Sequence, residues 1–183
     1  MKTTTPDFDN TAKAFAYKNN GILLRDYALF RLMNFQWLVS SGTAVAAKAL
    51  DLGFDKLIAL GMKPTIYSVF CGGESLEKAT RVIEKLHSLG VQSILDYGVE
   101  ASEEEADFEK TAAEIHRAID YAAVHSAVKI VCSKFTGLLN FPILEQLNDG
   151  KALSADEKAA YERSVARIDA ICQHAFEKDI SLF

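Results

Sequence analysis

From Thr65 to its end the chain repeats one unit: a short β-rich run, a break, then an amphipathic helix. This alternation constrains the fold most, because strands joined through helices pair in parallel with right-handed crossovers. The first run is Ile66-Tyr67-Ser68-Val69-Phe70, ending at Gly72-Gly73. A helix follows with Leu76, Ala79, Ile83, Leu86 and Leu89 on or near one face, and Gly90 suits the residue just past its end. Val91–Asp96 is the second strand. Ser102-Glu103-Glu104-Glu105 forms a capping box, and Phe108, Ala112, Ile115, Ile119 and Ala122 mark the buried side of the helix behind it. Val128–Ser133 is the third strand, with Val128, Ile130 and Cys132 on one side. Ser154-Ala155-Asp156-Glu157 is a second capping box, opening a helix with Val165, Ile168, Cys172 and Ala175 inward. Asp179-Ile180-Ser181-Leu182-Phe183 begins a fourth strand, and the chain ends inside it.

Ahead of these repeats, Thr11 to Lys63 reads as helices. Leu23, Tyr27, Phe30 and Trp37 recur at helical spacing with Leu24 beside them, and Gly42, Gly53 and Gly61 suggest helix ends. The expected organisation is a helical segment over residues 1–64 and a β/α body over 65–183. By pattern alone an open doubly wound sheet and a closed barrel fit equally well. No GxGxxG or GxxxxGK[ST] loop follows any strand, which argues against a Rossmann or P-loop domain.

A chain of 183 residues with 49% hydrophobic content can bury one ordinary core. It is too short for a complete (β/α)8 barrel, which takes about 250 residues. The net charge of -5 and the lack of any Lys/Arg run exclude a non-specific nucleic-acid binder. Cys71, Cys132 and Cys172 are far apart and lack zinc-ligand spacing, so no metal site is expected. They read as reduced, mostly buried thiols of a cytosolic protein. The polar start, Met1 to Asn10, contains Asp7 and Asp9 and resembles neither a secretory signal nor a transit peptide. The most apolar region, Phe35 to Leu60, is interrupted by Lys48, Asp51, Asp55 and Lys56 and is not a membrane span.

Parallel α/β folds place reactive side chains at the C-terminal ends of strands. Three positions qualify: Cys71 with Gly72-Gly73-Glu74, Asp96 with Glu100, and Lys134. A lysine there can hold a substrate carboxylate or, if neutral, form a Schiff base. The ordinary alternative is a solvated lysine opening a loop. Asp96 ends an apolar strand and needs a partner, since an unpaired buried charge is costly. Lys134, on the next strand, can be that partner, while the ordinary alternative is an aspartate capping its own turn. Gly72-Gly73 admits a close backbone approach but is a weak phosphate signal. Cys71 and Cys132 read as packing residues. His87, His116, His125 and His174 show no metal spacing and read as surface or packing residues.

Phe70-Cys71-Gly72-Gly73-Glu74-Ser75 resembles the F-x-x-G-E-T segment at the first barrel strand of proline dehydrogenases. Ser93-Ile94-Leu95-Asp96-Tyr97-Gly98-Val99-Glu100 resembles their second-strand signature, and Val131-Cys132-Ser133-Lys134-Phe135-Thr136-Gly137-Leu138 the third-strand segment that presents a lysine. Phe8-Asp9-Asn10-Thr11 through Phe15 is similar to the start of the single-function bacterial members. The resemblance spans nearly the whole chain. It implies an α/β fold: N-terminal helices followed by the first three to four strands of a (β/α)8 TIM-type barrel, incomplete here. It implies FAD at the C-terminal face, oxidation of L-proline to Δ1-pyrroline-5-carboxylate, and electron transfer to a membrane quinone. Lys134 would bind the proline carboxylate, and Asp96 would support Lys134.

The family's I-D-A-E-E segment, its paired substrate-clamping arginines and most flavin contacts would follow Phe183. The 183-residue chain is therefore expected to be an N-terminal fragment that binds no FAD and is inactive alone. Exposed sheet edges point to self-association. The expected setting is the cytoplasm with peripheral contact at the inner membrane. Two alternatives stand beside this: a small α/β lyase or aldolase with Lys134 as Schiff-base lysine, and a non-enzymatic helical interaction module. Proline and hydroxyproline are not distinguished.

Overall fold

The structure is a computed structural model that describes residues 9–98 and 104–183. It divides into two compact units, one up to Cys71 and one from Gly72. The expected capping serine Ser102 and the candidate Glu100 lie outside the described residues.

The first unit is helical throughout its described part: α1 (Thr11–Ala14), α2 (Asn20–Met33), α3 (Gln36–Asp51), α4 (Asp55–Met62), a π-helical turn (Lys63–Tyr67) and α5 (Ser68–Phe70). Asn10 and Asn19 cap α1 and α2 by accepting the amides of Lys13 and Ile22. Gly53, at φ 83°, ends α3 as expected, but Gly42 and Gly61 lie inside α3 and α4. The only buried residue among those described in this unit is Asp26. Lys18 donates to it at 2.8 Å and Arg25 at 2.7 Å. These two bonds, Lys18 first, hold its carboxyl below the usual carboxylate range.

The run Ile66–Phe70 is not the expected first strand. Pro64 leaves the preceding turn without an amide donor. The hydroxyls of Thr65 and Ser68 donate back to the carbonyls of Gly61 at 2.7 Å and Thr65 at 2.9 Å. These bonds satisfy the preceding carbonyls within a widened helical turn, against the β preference of Ile66, Tyr67 and Val69.

The second unit is α/β. Its order is α6 (Leu76–Ser88), β1 (Ser93–Asp96), α7 (Glu105–Val124), β2 (Val128–Cys132), a 3-10 turn (Phe135–Gly137), α8 (Phe141–Asn148), α9 (Ala155–Glu177) and β3 (Ser181–Leu182). The three strands form one parallel sheet in the order β1-β2-β3. Gly73 serves the turn before α6: a Cβ there would lie 2.6 Å from the Ala79 amide nitrogen. Its missing side chain makes room for the protein's own backbone.

The face of α7 is the expected one. Phe108, Ala112, Ile115, Ile119 and Ala122 are all buried, and all but Phe108 join Val128, Val131, Leu138 and Ile171 in the main core cluster. On β2, complete burial falls on Val128 and Val131, while Ile130 and Cys132 are half-buried. The reason is an irregularity: Ser93 pairs with Val128 but Ile94 pairs with Ile130, so one extra β2 residue interrupts the simple alternation.

The Ser154–Glu157 capping box is fully formed. Behind it the buried face of α9 is Ser164, Arg167, Ile171 and Ala175, while Val165 and Cys172 are exposed. A charged residue sits in the interior row because its partners come with it. Arg167 donates to Glu109 Oε1 at 2.6 Å, to the Leu138 carbonyl at 2.7 Å and to Glu105, and lies 5.7 Å from the Phe108 ring centre. Helix α7 starts at Glu105, whose carboxylate accepts from Arg167. The thiols also differ from expectation: Cys71 and Cys172 are exposed and Cys132 is half-buried.

Between α7 and α9, His116 Nδ1 and His174 Nδ1 lie 2.8 Å apart, and His174 Nε2 meets Asp120 Oδ1 at 2.8 Å. One Nδ1 must accept while the other donates. Burial, then the neighbouring His174, pushes the His116 pKa down. Among the described residues no helix is long and apolar enough to cross a membrane, and no group of three or more potential ligands converges on a metal position.

Two outcomes are expected. Ile119→Ala, at a fully buried position, should destabilise the second unit by about 2–5 kcal/mol in urea unfolding followed by far-ultraviolet circular dichroism. The second concerns pH. The folded state resists protonating His116 more than the unfolded chain does, so the unfolded chain binds more protons below its ordinary value of about 6.5. Its contribution is present above that value and is lost as pH falls through it toward the lower folded value. The urea midpoint should drop between pH 7.5 and 5.5, and His116→Gln should flatten that drop; equal slopes in the two proteins would contradict it.

Candidate functional site

The sheet's C-terminal edge brings together two residues expected from the sequence. Asp96 is the last residue of β1 and stands in register with Cys132, the last of β2. Two residues further, Lys134 opens the 3-10 turn. Because the strands are parallel, both side chains emerge at the same rim. Lys134 Nζ lies 3.2 Å from Asp96 Oδ2, with the side chains 34% and 46% exposed. This is a part-solvated ion pair, screened by water more than a buried one would be.

Cys132 sits beside the pair. Burial first, then the charge of Asp96 and the hydrogen bond to it, push the thiol up, and Lys134 opposes this in smaller measure. A thiol held protonated is a poor nucleophile, which fits packing rather than chemistry for Cys132.

The segment around Lys134 is fixed on both sides. The Ser133 amide donates to the Phe183 carbonyl at 2.9 Å, and the Phe183 amide donates to the Val131 carbonyl at 3.1 Å, which ties β3 to the rim. Beyond Lys134, the amides of Gly137 and Leu138 close the 3-10 turn on the carbonyls of Lys134 and Phe135. The Leu138 carbonyl then receives the buried guanidinium of Arg167. Sequence reasoning missed Arg167. The available signal was a cation on the i, i+4 row of α9 opposite Glu105 and Glu109, one turn apart on α7.

The other strand-end candidates are not part of this rim pair. Cys71 follows α5 rather than a strand and is exposed, and Glu74 pairs with Lys78 four residues on. The histidines lie on helices or just beyond: His125 stacks on Tyr121 at 3.7 Å between ring centres and is bonded to its carbonyl. The concavities beside α8 and between α7 and α9 are lined by neither Asp96 nor Lys134.

Comparison with known proteins finds several relatives. The chain is 27% identical over 140 residues to "Proline dehydrogenase 1, mitochondrial" of Dictyostelium discoideum, covering 76% of this chain and 24% of that protein. It is 37% identical over 94 residues to the Caenorhabditis elegans protein of the same name, covering 51% of this chain and 15% of the other. For the Drosophila melanogaster protein, again of that name, the identity is 34% over 102 residues, covering 55% and 15%. The chain thus spans a quarter or less of the length of these three relatives. No family model matches the chain. No solved structure matches it either. The chain is thus similar, over half to three quarters of its length, to several proteins named proline dehydrogenase.

Proposed function

We propose that the chain supplies the substrate-carboxylate anchor of a proline-oxidising enzyme, with Lys134 as the anchor and Asp96 as its support. The observation that carries this is the 3.2 Å contact between Lys134 Nζ and Asp96 Oδ2 at the shared rim of adjacent parallel strands. A carboxylate ligand would approach the ammonium from the solvent side, while Asp96 fixes the direction of the lysine stem. Such fixed orientation lowers the cost of bringing a substrate to its reaction partner. In this reading residues 65–183 form the first strands of an incomplete (β/α)8 barrel, residues 1–64 precede it as a helical segment, and L-proline is oxidised to Δ1-pyrroline-5-carboxylate.

FAD is the cofactor this reading calls for, with electrons passing to a quinone. The described rim does not fit a flavin by itself. Among the described residues it offers one lysine, one aspartate and one thiol, and the buried polar atoms that lack a partner there, Ser93 Oγ and Asn140 Oδ1, lie at the start of β1 and at the N-cap of α8. No catalytic step is therefore drawn through it. The 183 residues alone would bind no FAD and oxidise no proline, and they would self-associate through the open edges of β1 and β3. Placement in the cytoplasm with peripheral membrane contact belongs to the same reading, although the relatives are named mitochondrial. The Schiff-base alternative is disfavoured: a carboxylate 3.2 Å from Lys134 stabilises the ammonium, whereas that chemistry needs the free amine.

Two measurements test these proposals. In lysine-resolved NMR, L-proline should shift the Lys134 ε-methylene signal while pyrrolidine, which lacks the carboxylate, should not. Lys134→Met should weaken proline binding about tenfold, the loss expected for one charge-assisted contact. No shift with proline would remove the anchor reading. Separately, the purified chain should show no flavin absorbance and no proline-dependent dye reduction; a yellow, active preparation would refute the inactivity of these residues alone.

A further inference from the structure

We propose that Arg167 is a positioning residue for Lys134, holding the loop that presents the lysine to the helix that follows Asp96. This rests on the reading of Lys134 as the carboxylate anchor. Arg167 lies on α9, and its side chain is 4% exposed. One end of its reach is the Leu138 carbonyl at 2.7 Å. Leu138 is itself fully buried, and its amide closes the turn on Phe135 while that of Gly137 closes it on Lys134. The other end is Glu109 at 2.6 Å, together with Glu105, at the start of the helix after β1. One guanidinium therefore joins the segment that follows Lys134 to the first turns of the helix that follows β1.

The chemistry of the arrangement needs arginine. Its planar fork presents several donors at fixed angles, so it can serve a carbonyl and two carboxylates together, whereas an ammonium is a single point charge. The acids are its counter-charge, since a guanidinium buried without one would be costly. A neutral residue of the same bulk would fill the space and leave the Leu138 carbonyl without its donor. The 3-10 turn would then keep its own amide bonds, the burial of Leu138 and the Phe183 side but lose its tether to α7 and α9, and the Lys134 stem would lose part of its fixed starting direction. Arg167 touches neither rim charge, so its effect on them passes through the turn.

The test is the acetylation rate of individual lysines by the N-hydroxysuccinimide ester of acetic acid, read by mass spectrometry on the 183-residue chain. Arg167→Lys keeps the charge and loses the fork. In the folded variant, Lys134 should react about threefold faster, the scale of losing a part-solvated ion pair, while exposed Lys158 should be unchanged. Asp96→Asn, which removes the partner directly, should give a similar rise at Lys134. An unchanged Lys134 rate in folded Arg167→Lys overturns the proposal. Should that variant fail to fold, hydrogen exchange on the unaltered protein decides. The Gly137 and Leu138 amides should exchange within about tenfold of the Ile171 amide in the core, and exchange several orders faster overturns the proposal. If Lys134 reactivity responds to Arg167 but L-proline shifts nothing, the positioning stands and the substrate reading falls; the opposite pattern has the opposite meaning.

Discussion

Parallel pairing between Ser93–Asp96 and Val128–Cys132 is the constraint on which the site depends. Antiparallel strands would send Asp96 and Lys134 to opposite ends of the sheet. The parallel arrangement requires a crossover, and α7 supplies it with Ile115, Ile119 and Ala122 laid on the sheet. Burying those side chains therefore does two things: it contributes to the unit's apolar core, and it holds the pairing that puts a carboxylate beside an ammonium.

The layers around that pair differ in kind. Beneath the rim lie apolar residues that tolerate no water. At the rim are charges of intermediate exposure. On the helix side is Arg167, a guanidinium largely out of water whose partners Glu105 and Glu109 remain exposed. A buried ion pair adds little net stability compared with apolar packing, because desolvation offsets most of the attraction. What it adds is geometry: the donor directions of a guanidinium select one arrangement of the Leu138 carbonyl and the two glutamates.

Much of the second unit was legible from its residues. The α7 face and the Ser154 capping box follow from short-range rules, spacing on one helix and a serine three residues before a glutamate. So did the Asp96–Lys134 pair, because strand ends and parallel order leave few alternatives. Three features were not legible. Ile66–Phe70 has β-forming side chains, yet Pro64, Thr65 and Ser68 set hydrogen bonds that local preference does not count. On α9 the expected Ala175 is buried and Ile168 packs half-buried against the core, but Val165 and Cys172 were read inward where Ser164, Arg167 and Ile171 stand. Hydropathy marks Arg167 as an outward residue, and only the glutamates of another helix reverse that. The burial pattern of β2 departs from alternation because of an extra residue opposite β1, which leaves no trace in composition.

The rim pair has an internal tension that its exposure resolves. A lysine fully neutralised by a buried aspartate would offer little attraction to a second carboxylate. A lysine with no partner would wander through the rotamers of its long stem and present no fixed geometry. At 34% and 46% exposure, water screens the Asp96 charge without abolishing it. The arrangement thus keeps the stem aimed by a pair that stays part-solvated. The same balance explains why Cys132, held as the thiol by burial and by Asp96, adds no competing negative charge there.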